Sequence, residues 1–331
     1  MQRTYEEALK SIAEQNTDVI VMTAENRAAI RNLPQSLGER FIDVGICEQT
    51  LIGAAAGLAL RGRIPVVHSL ASFLTLRAFE FIRTDIGIAG LPVKMIGGLP
   101  GFLSEANGPT HQSLEDIALM RNIPGVQIFC PADERELVEG LPAIVASSSP
   151  CYVRCNLREQ AYDHASEFQI GKAEVISEGS DITLLAYGFL VREAVGARAL
   201  LECRGVSVRL INLRMLEPVD EKSIIESARS TRLLVTLEDH FQRGGLYSIV
   251  CELLVRRQLN CRVLPITFDR RWFKPALIDD ALRYEGFTSS QIADRILKEL
   301  QEKGVIPCPT QYASTKITRT SQNPTNTTIE R

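Results

Sequence analysis

Several absences narrow the class of this 331-residue sequence. No run approaches the ~20 consecutive apolar residues that a membrane-spanning helix requires. Lys and Arg number 37 against 40 Asp and Glu, a formal net charge of −3, which leaves no electrostatic footprint for nucleic acid. The eight cysteines include no C-x-x-C pair. Cys151 and Cys155 stand close together in a strand-like run, a spacing that suits neither a zinc knuckle nor a disulfide framework. They read as reduced and mostly buried small hydrophobes. The opening MQRTYEEALKSIAEQ mixes acids and bases and reads at once as an amphipathic helix, not as a signal or transit peptide. The expectation is a cytoplasmic protein with neither nucleic acid nor membrane among its partners.

What is present is enough for two cores, since 45% of the residues are hydrophobic and 23% charged. Apolar runs DVIVMTAE, RFIDVGI, IPVVHSL, PVKMIGG, VQIFCPAD and CYVRCN alternate with helical segments. Fully apolar strands separated by helices indicate a parallel sheet covered on both faces. After a polar joint near 161–172 a second series follows: DITLLAYG, VSVRLINLR, RLLVTLEDH and NCRVLPITF. The expected fold is α/β, two three-layer domains over 1–165 and 173–304. Residues 305–331, rich in Thr, Ser, Asn and Gln, are expected to form a disordered tail.

One acid stands out. Glu48 opens EQTLIGAAAGLALRG, a helix of small and apolar residues with Leu51, Ala54, Ala55 and Leu58 on one face and Gly62 as its stop. The helix dipole alone would explain an acid there, worth roughly 0.3–1 kcal/mol. A second stretch, SEANGPTHQSLEDIALMRNIPG, brings a polar loop and His111 to the start of another helix. Ligands in open α/β sheets bind outside the carboxyl ends of the strands, and both residues follow strands.

Together VGICEQ, AAAGLALRG, GPTHQSLED and PADE resemble the pyrimidine-binding domain of the transketolase family of thiamine-diphosphate enzymes. DITLLAYGFLVREA, VSVRLINLRMLEPVD and TRLLVTLEDHFQRGGLYS resemble its C-terminal domain, so the likeness covers about residues 1–300. It implies that Glu48 hydrogen-bonds N1′ of the aminopyrimidine, the contact that lets the cofactor lose its thiazolium C2 proton. Glu25 would assist through a carboxylate network. Phe73, Leu76 and Phe79 would wall the pyrimidine, with Leu76 where the family has a stacking aromatic. His111 would serve catalysis and contact the donor hydroxyls. Asn107 stands where transketolase has an aspartate that reads the acceptor, and Leu99 where it has a histidine. Arg154, and with it Arg3, would meet a substrate phosphate, which argues for an anionic acceptor. The EDH run at Glu238–His240 is taken as a domain-interface feature without a catalytic part.

The family's G-D-G motif, which holds Mg2+ and the cofactor diphosphate, occurs nowhere in the chain. No metal ligands are expected here. The resemblance therefore implies the small subunit of a split transketolase, with a large partner subunit supplying diphosphate and Mg2+ ligands in an α2β2 heterotetramer. The implied reaction transfers a two-carbon ketol unit from a ketose to an aldehyde, a sugar phosphate by the Arg154 argument. Alternatives are a deoxyxylulose-phosphate-synthase-like or 2-oxoacid dehydrogenase E1 β-like subunit, or a non-catalytic scaffold.

Overall fold

The computed structural model describes residues 3–164 and 167–302, so the tail expected over 305–331 lies outside the described residues. Six strands come first: β1 (Val19–Thr23), β2 (Phe41–Asp43), β3 (Ile64–Leu70), β4 (Lys94–Gly98), β5 (Gln127–Phe129) and β6 (Cys151–Arg154). Six follow: β7 (Glu174–Ser177), β8 (Ile182–Ala186), β9 (Val208–Asn212), β10 (Met215–Glu217), β11 (Leu233–Phe241) and β12 (Val263–Phe268). The first sheet has the order β10-β5-β6-β4-β3-β1-β2 and the second β12-β11-β8-β9-β7. Pairing is parallel throughout except at β7 and β10, which lie antiparallel on an edge of each sheet. Each apolar run named above contains one of the parallel strands. The two antiparallel edges are 4 and 3 residues long and carry no such run. β10 comes from the second half of the chain and completes the first sheet by pairing with β5.

The first sheet is packed on both faces. Helices Tyr5–Gln15 and Glu134–Ala146 cover one face, each started by a side-chain cap: Thr4 accepts from the Glu7 N–H, and Asp133 from the Glu136 N–H. Helix Glu48–Leu60 packs on the other, within an apolar cluster that also holds Leu185, Ile211, Leu234 and Leu246 from the second half. One core therefore joins the two sheets. The buried face of Glu48–Leu60 is Leu51, Ile52, Ala55, Ala56 and Ala59. It is turned by about one residue from the expected stripe: Ala54 is exposed and Leu58 half-buried. Gly62 ends the helix with φ 81°, a left-handed conformation that favours glycine.

Three of the described cysteines are buried, Cys130, Cys151 and Cys155, while Cys47 and Cys203 are exposed, so "mostly buried" does not hold. Among the described residues no helix is long and apolar enough to cross a membrane.

Candidate functional site at the carboxyl edge of the first sheet

Because β1, β2, β3, β4 and β6 run parallel, the segments leaving their carboxyl ends converge on one edge. There the segments after β1, β2 and β3 line a cavity of about 290 Å³ with Ala24, Glu25, Asn26, Ile46, Glu48, Ser69 and Phe73. Glu48 occupies the first position of its helix and is 1% exposed. Its Oε2 accepts from Arg77 Nη1 at 2.8 Å, and its Oε1 lies 3.5 Å from the Ser69 hydroxyl. Glu25 shares the cavity from an exposed position with φ 60°, its backbone N–H donating to Asp43 Oδ1 at 3.2 Å. Such a backbone conformation in a non-glycine residue marks a position held by its surroundings.

Phe73 brings His111 to the same place, the two rings meeting edge-on with centroids 5.0 Å apart. His111 Nδ1 is 2.9 Å from the Thr110 hydroxyl. The helix expected to begin at His111 starts instead at Asp116, after a 3-10 segment and a turn, so His111 sits on the loop. The aromatic wall is not continuous. Residues 73–77 form a π-turn rather than α-helix, which leaves Leu76 45% exposed, and Phe79 packs against the shared core. Of these three, Phe73 alone lines the cavity with Glu48.

A neighbouring cavity of about 330 Å³ shares Asn26 and is lined by His68, Leu99, Leu103, Glu105, Asn107, Leu157 and Arg158, among others. Asn107 and Leu99 are thus brought together, with the Asn107 amide donating to Ser104 O at 2.8 Å. Buried His68 is held down to about 4 by its loss of water, and its Nε2 lies 2.8 Å from Tyr5 Oη. Arg154 lies elsewhere. It is 3% exposed and inside the molecule, its Nε donating to Asp116 at 2.9 Å and its Nη1 to Asp239 at 2.6 Å. Burial alone would lower its pKa, yet these two carboxylates hold it well above the usual value. A guanidinium so placed ties β6 to β11 and faces neither cavity. The arginine that lines the substrate-sized cavity is Arg158, four residues further on, paired with Glu105. Arg3 is exposed just before the first helix, donating to Glu7 O at 3.1 Å, and lines neither cavity.

Sequence reasoning passed over Asn26, Arg77 and Arg158. Arg158 had a signal in the YVRCNLR spacing. Arg77 had none, because its position depends on the π-turn.

The EDH run is internal. Glu238 accepts the backbone N–H of Leu246 at 2.6 Å and of Tyr247 at 2.9 Å, and burial pushes it up to about 8 against those bonds. His240 accepts the Ala118 N–H at 3.3 Å, so Glu238, Asp239 and His240 face helix starts and the other half of the chain. A grouping of metal-ligand types, Glu136, His164 and Glu174, lies at the junction of the halves. Arg214 already pairs with both glutamates, which leaves no room for a cation.

The comparisons agree with this architecture. The family model for the transketolase pyrimidine binding domain matches residues 1–161, and that for the transketolase C-terminal domain matches residues 171–292. The chain belongs to the transketolase family, a thiamine-dependent class. It is 38% identical over 265 residues to the 6-deoxy-6-sulfo-D-fructose transketolase subunit SqwH of Clostridium sp. (strain MSTE9), covering 78% of this chain and 81% of that one. It is 32% identical to a transketolase C-terminal section from Methanocaldococcus jannaschii, covering 92% and 97%. A 1-deoxy-D-xylulose-5-phosphate synthase of Dictyoglomus thermophilum is 31% identical over 89% of this chain, which spans 48% of that protein. Among solved structures, a split gene transketolase described as an inactive β4 tetramer superposes with TM-score 0.79 at 31% identity, covering 89% and 96%.

Proposed function

We propose that this chain is the small subunit of a two-chain transketolase that moves a two-carbon ketol unit from a ketose donor to an aldehyde acceptor. The observation that carries the reading is Glu48, a buried carboxylate at the start of an apolar helix, facing one cavity with Glu25 and Phe73. This donor set fits the pyrimidine half of thiamine diphosphate: a carboxylate for a ring nitrogen and an aromatic face for the ring. It offers nothing for a diphosphate or Mg2+, whose ligands the proposal places on a large partner subunit. Sulfo-sugar and sugar-phosphate relatives favour an anionic substrate.

Thiamine diphosphate, when bound, supplies the carbon nucleophile. Glu48 would hold a proton at the pyrimidine nitrogen, with Glu25 in the same cavity. Phe73 would cover the ring and Leu76 would border it from the subunit surface, while Phe79 would support the wall from the core. His111 would contact the donor hydroxyls from its loop. Asn107 and Arg158 would meet the far end of the substrate, an anion there competing with Glu105 for the guanidinium. Arg154 is left to hold the two halves together, and Arg3 to the chain surface. Ile46, Leu76 and Phe81 expose apolar surface on the segments that leave this edge, and Leu60 does so at the far end of the Glu48 helix. They suit the contact face of an α2β2 assembly in the cytoplasm. The test is product analysis with the partner subunit present. Two-carbon transfer from a ketose is expected. Decarboxylative condensation of pyruvate in its place would assign the chain to the synthase-like alternative.

A further inference from the structure

Arg77 has no part in the roles above, yet it touches the central pair of the site. It is the last residue of the π-turn Phe73–Arg77, closed by the Ala78 N–H donating to the Phe73 carbonyl at 3.3 Å. The wider turn returns residue 77 over residue 73, so the Arg77 Cζ lies 4.4 Å from the centroid of the Phe73 ring. From there Nη1 donates to Glu48 Oε2 at 2.8 Å. The two partners differ sharply in exposure: the Glu48 side chain is 1% accessible and that of Arg77 42%. A flat group bearing N–H donors therefore lies on Phe73 and is bonded to Glu48. Those are the two contacts that the proposed function gives to the aminopyrimidine ring.

We propose that Arg77 is an internal competitor for the pyrimidine half-site: its guanidinium satisfies Glu48 and covers Phe73 in the free chain, and the ring binds only as Arg77 swings out into solvent. The proposal rests on the reading of Glu48 and Phe73 as pyrimidine contacts. The physical case is one of matched strengths. A buried carboxylate without a partner is costly, so the free chain gains from the Arg77 pair. A pair with one partner so exposed is weak, and a cation on an accessible ring adds little, so a planar ligand can replace both. Arg77 leaves without breaking the fold, because its head is already reachable by water.

The experiment is calorimetric titration of the full-length chain with thiamine, which carries the pyrimidine but no diphosphate. Arg77→Leu should bind about three- to fivefold more tightly than wild type, the size of a displaced half-exposed ion pair. Adding Glu48→Gln to that variant should abolish the gain. Thiamine is itself cationic, so Arg77→Lys separates occupancy from repulsion: a lysine keeps the charge but cannot lie flat on the ring. It should bind more tightly than wild type. Equal affinity of the lysine variant and wild type, or equal or weaker affinity of Arg77→Leu, overturns the competitor role while leaving the half-site standing. The half-site is weak without a partner, so the titration runs to millimolar thiamine; absence of binding there in every variant, each shown folded by circular dichroism, overturns the reading of Glu48 and Phe73 and the proposal with it. Arg77→Gln serves if the leucine variant does not fold.

Discussion

Arg154 and Arg158 show how burial divides the work of two similar side chains. Arg154 bridges Asp116 and Asp239 in the interior, and removing one partner of such a group costs about 3–5 kcal/mol. Arg154→Met should therefore lower the melting temperature by about 4–8 °C in a thermal scan, what that cost predicts for a body of this size. Arg158→Ala should leave melting unchanged and raise KM for a phosphorylated acceptor while sparing a neutral one, measured on the assembled enzyme. Equal rises on both substrates would make Arg158 a scaffold residue. Glu48→Gln should reduce cofactor C2 hydrogen exchange by about 10²–10⁴-fold with assembly intact, the usual weight of a positioned acid or base. A variant within about threefold of wild type would remove Glu48 from that role. His164 gives a pH prediction. Burial lowers its pKa, but hydrogen bonds to Asp133 and Glu174 raise it to about 9, above the ordinary value of 6.5. Its stabilisation is complete below about pH 6.5 and is lost as pH rises through about 9. The melting gap between wild type and His164→Gln should shrink from pH 7 to 10. A constant gap would exclude a charged His164.

At the scale of elements, the ten parallel strands and the Glu48 helix were legible because burial on both faces demands apolar runs with no alternation. Edge strands β7 and β10 face no such demand and left no trace in composition. Glu48 was legible because a carboxylate among small apolar residues needs a reason, and GPTHQ supplied its neighbour. The face of the Glu48 helix was misread by one residue, since a sequence so rich in Ala and Gly marks no sharp stripe. The π-turns at Phe73–Arg77 and Ile82–Gly87 obey no periodicity readable beforehand, so Arg77 and the exposure of Leu76 were hidden. Arg154 was misplaced because a motif gives a residue's position in the chain and not the carboxylates that fold around it. The exposed apolar residues on these elements carry the next prediction. Leu76→Asp with Phe81→Asp should leave the melting temperature of the isolated chain within a few degrees, as surface changes do, and abolish co-elution with the partner subunit. Retained co-elution would place the interface on another face.

For the whole molecule, a shared apolar cluster and β10 in the first sheet tie the two halves into one body. The carboxyl edge of the first sheet holds a carboxylate and an aromatic face, and under the proposed function the charged diphosphate is held by a second chain. The most direct measurement is a ketol-transfer assay on the purified chain with thiamine diphosphate and Mg2+, run with and without the large subunit, beside calorimetry of cofactor binding. The account predicts no turnover and no tight cofactor binding by the chain alone, with both restored by the partner. Micromolar cofactor affinity and full turnover without a partner would contradict it.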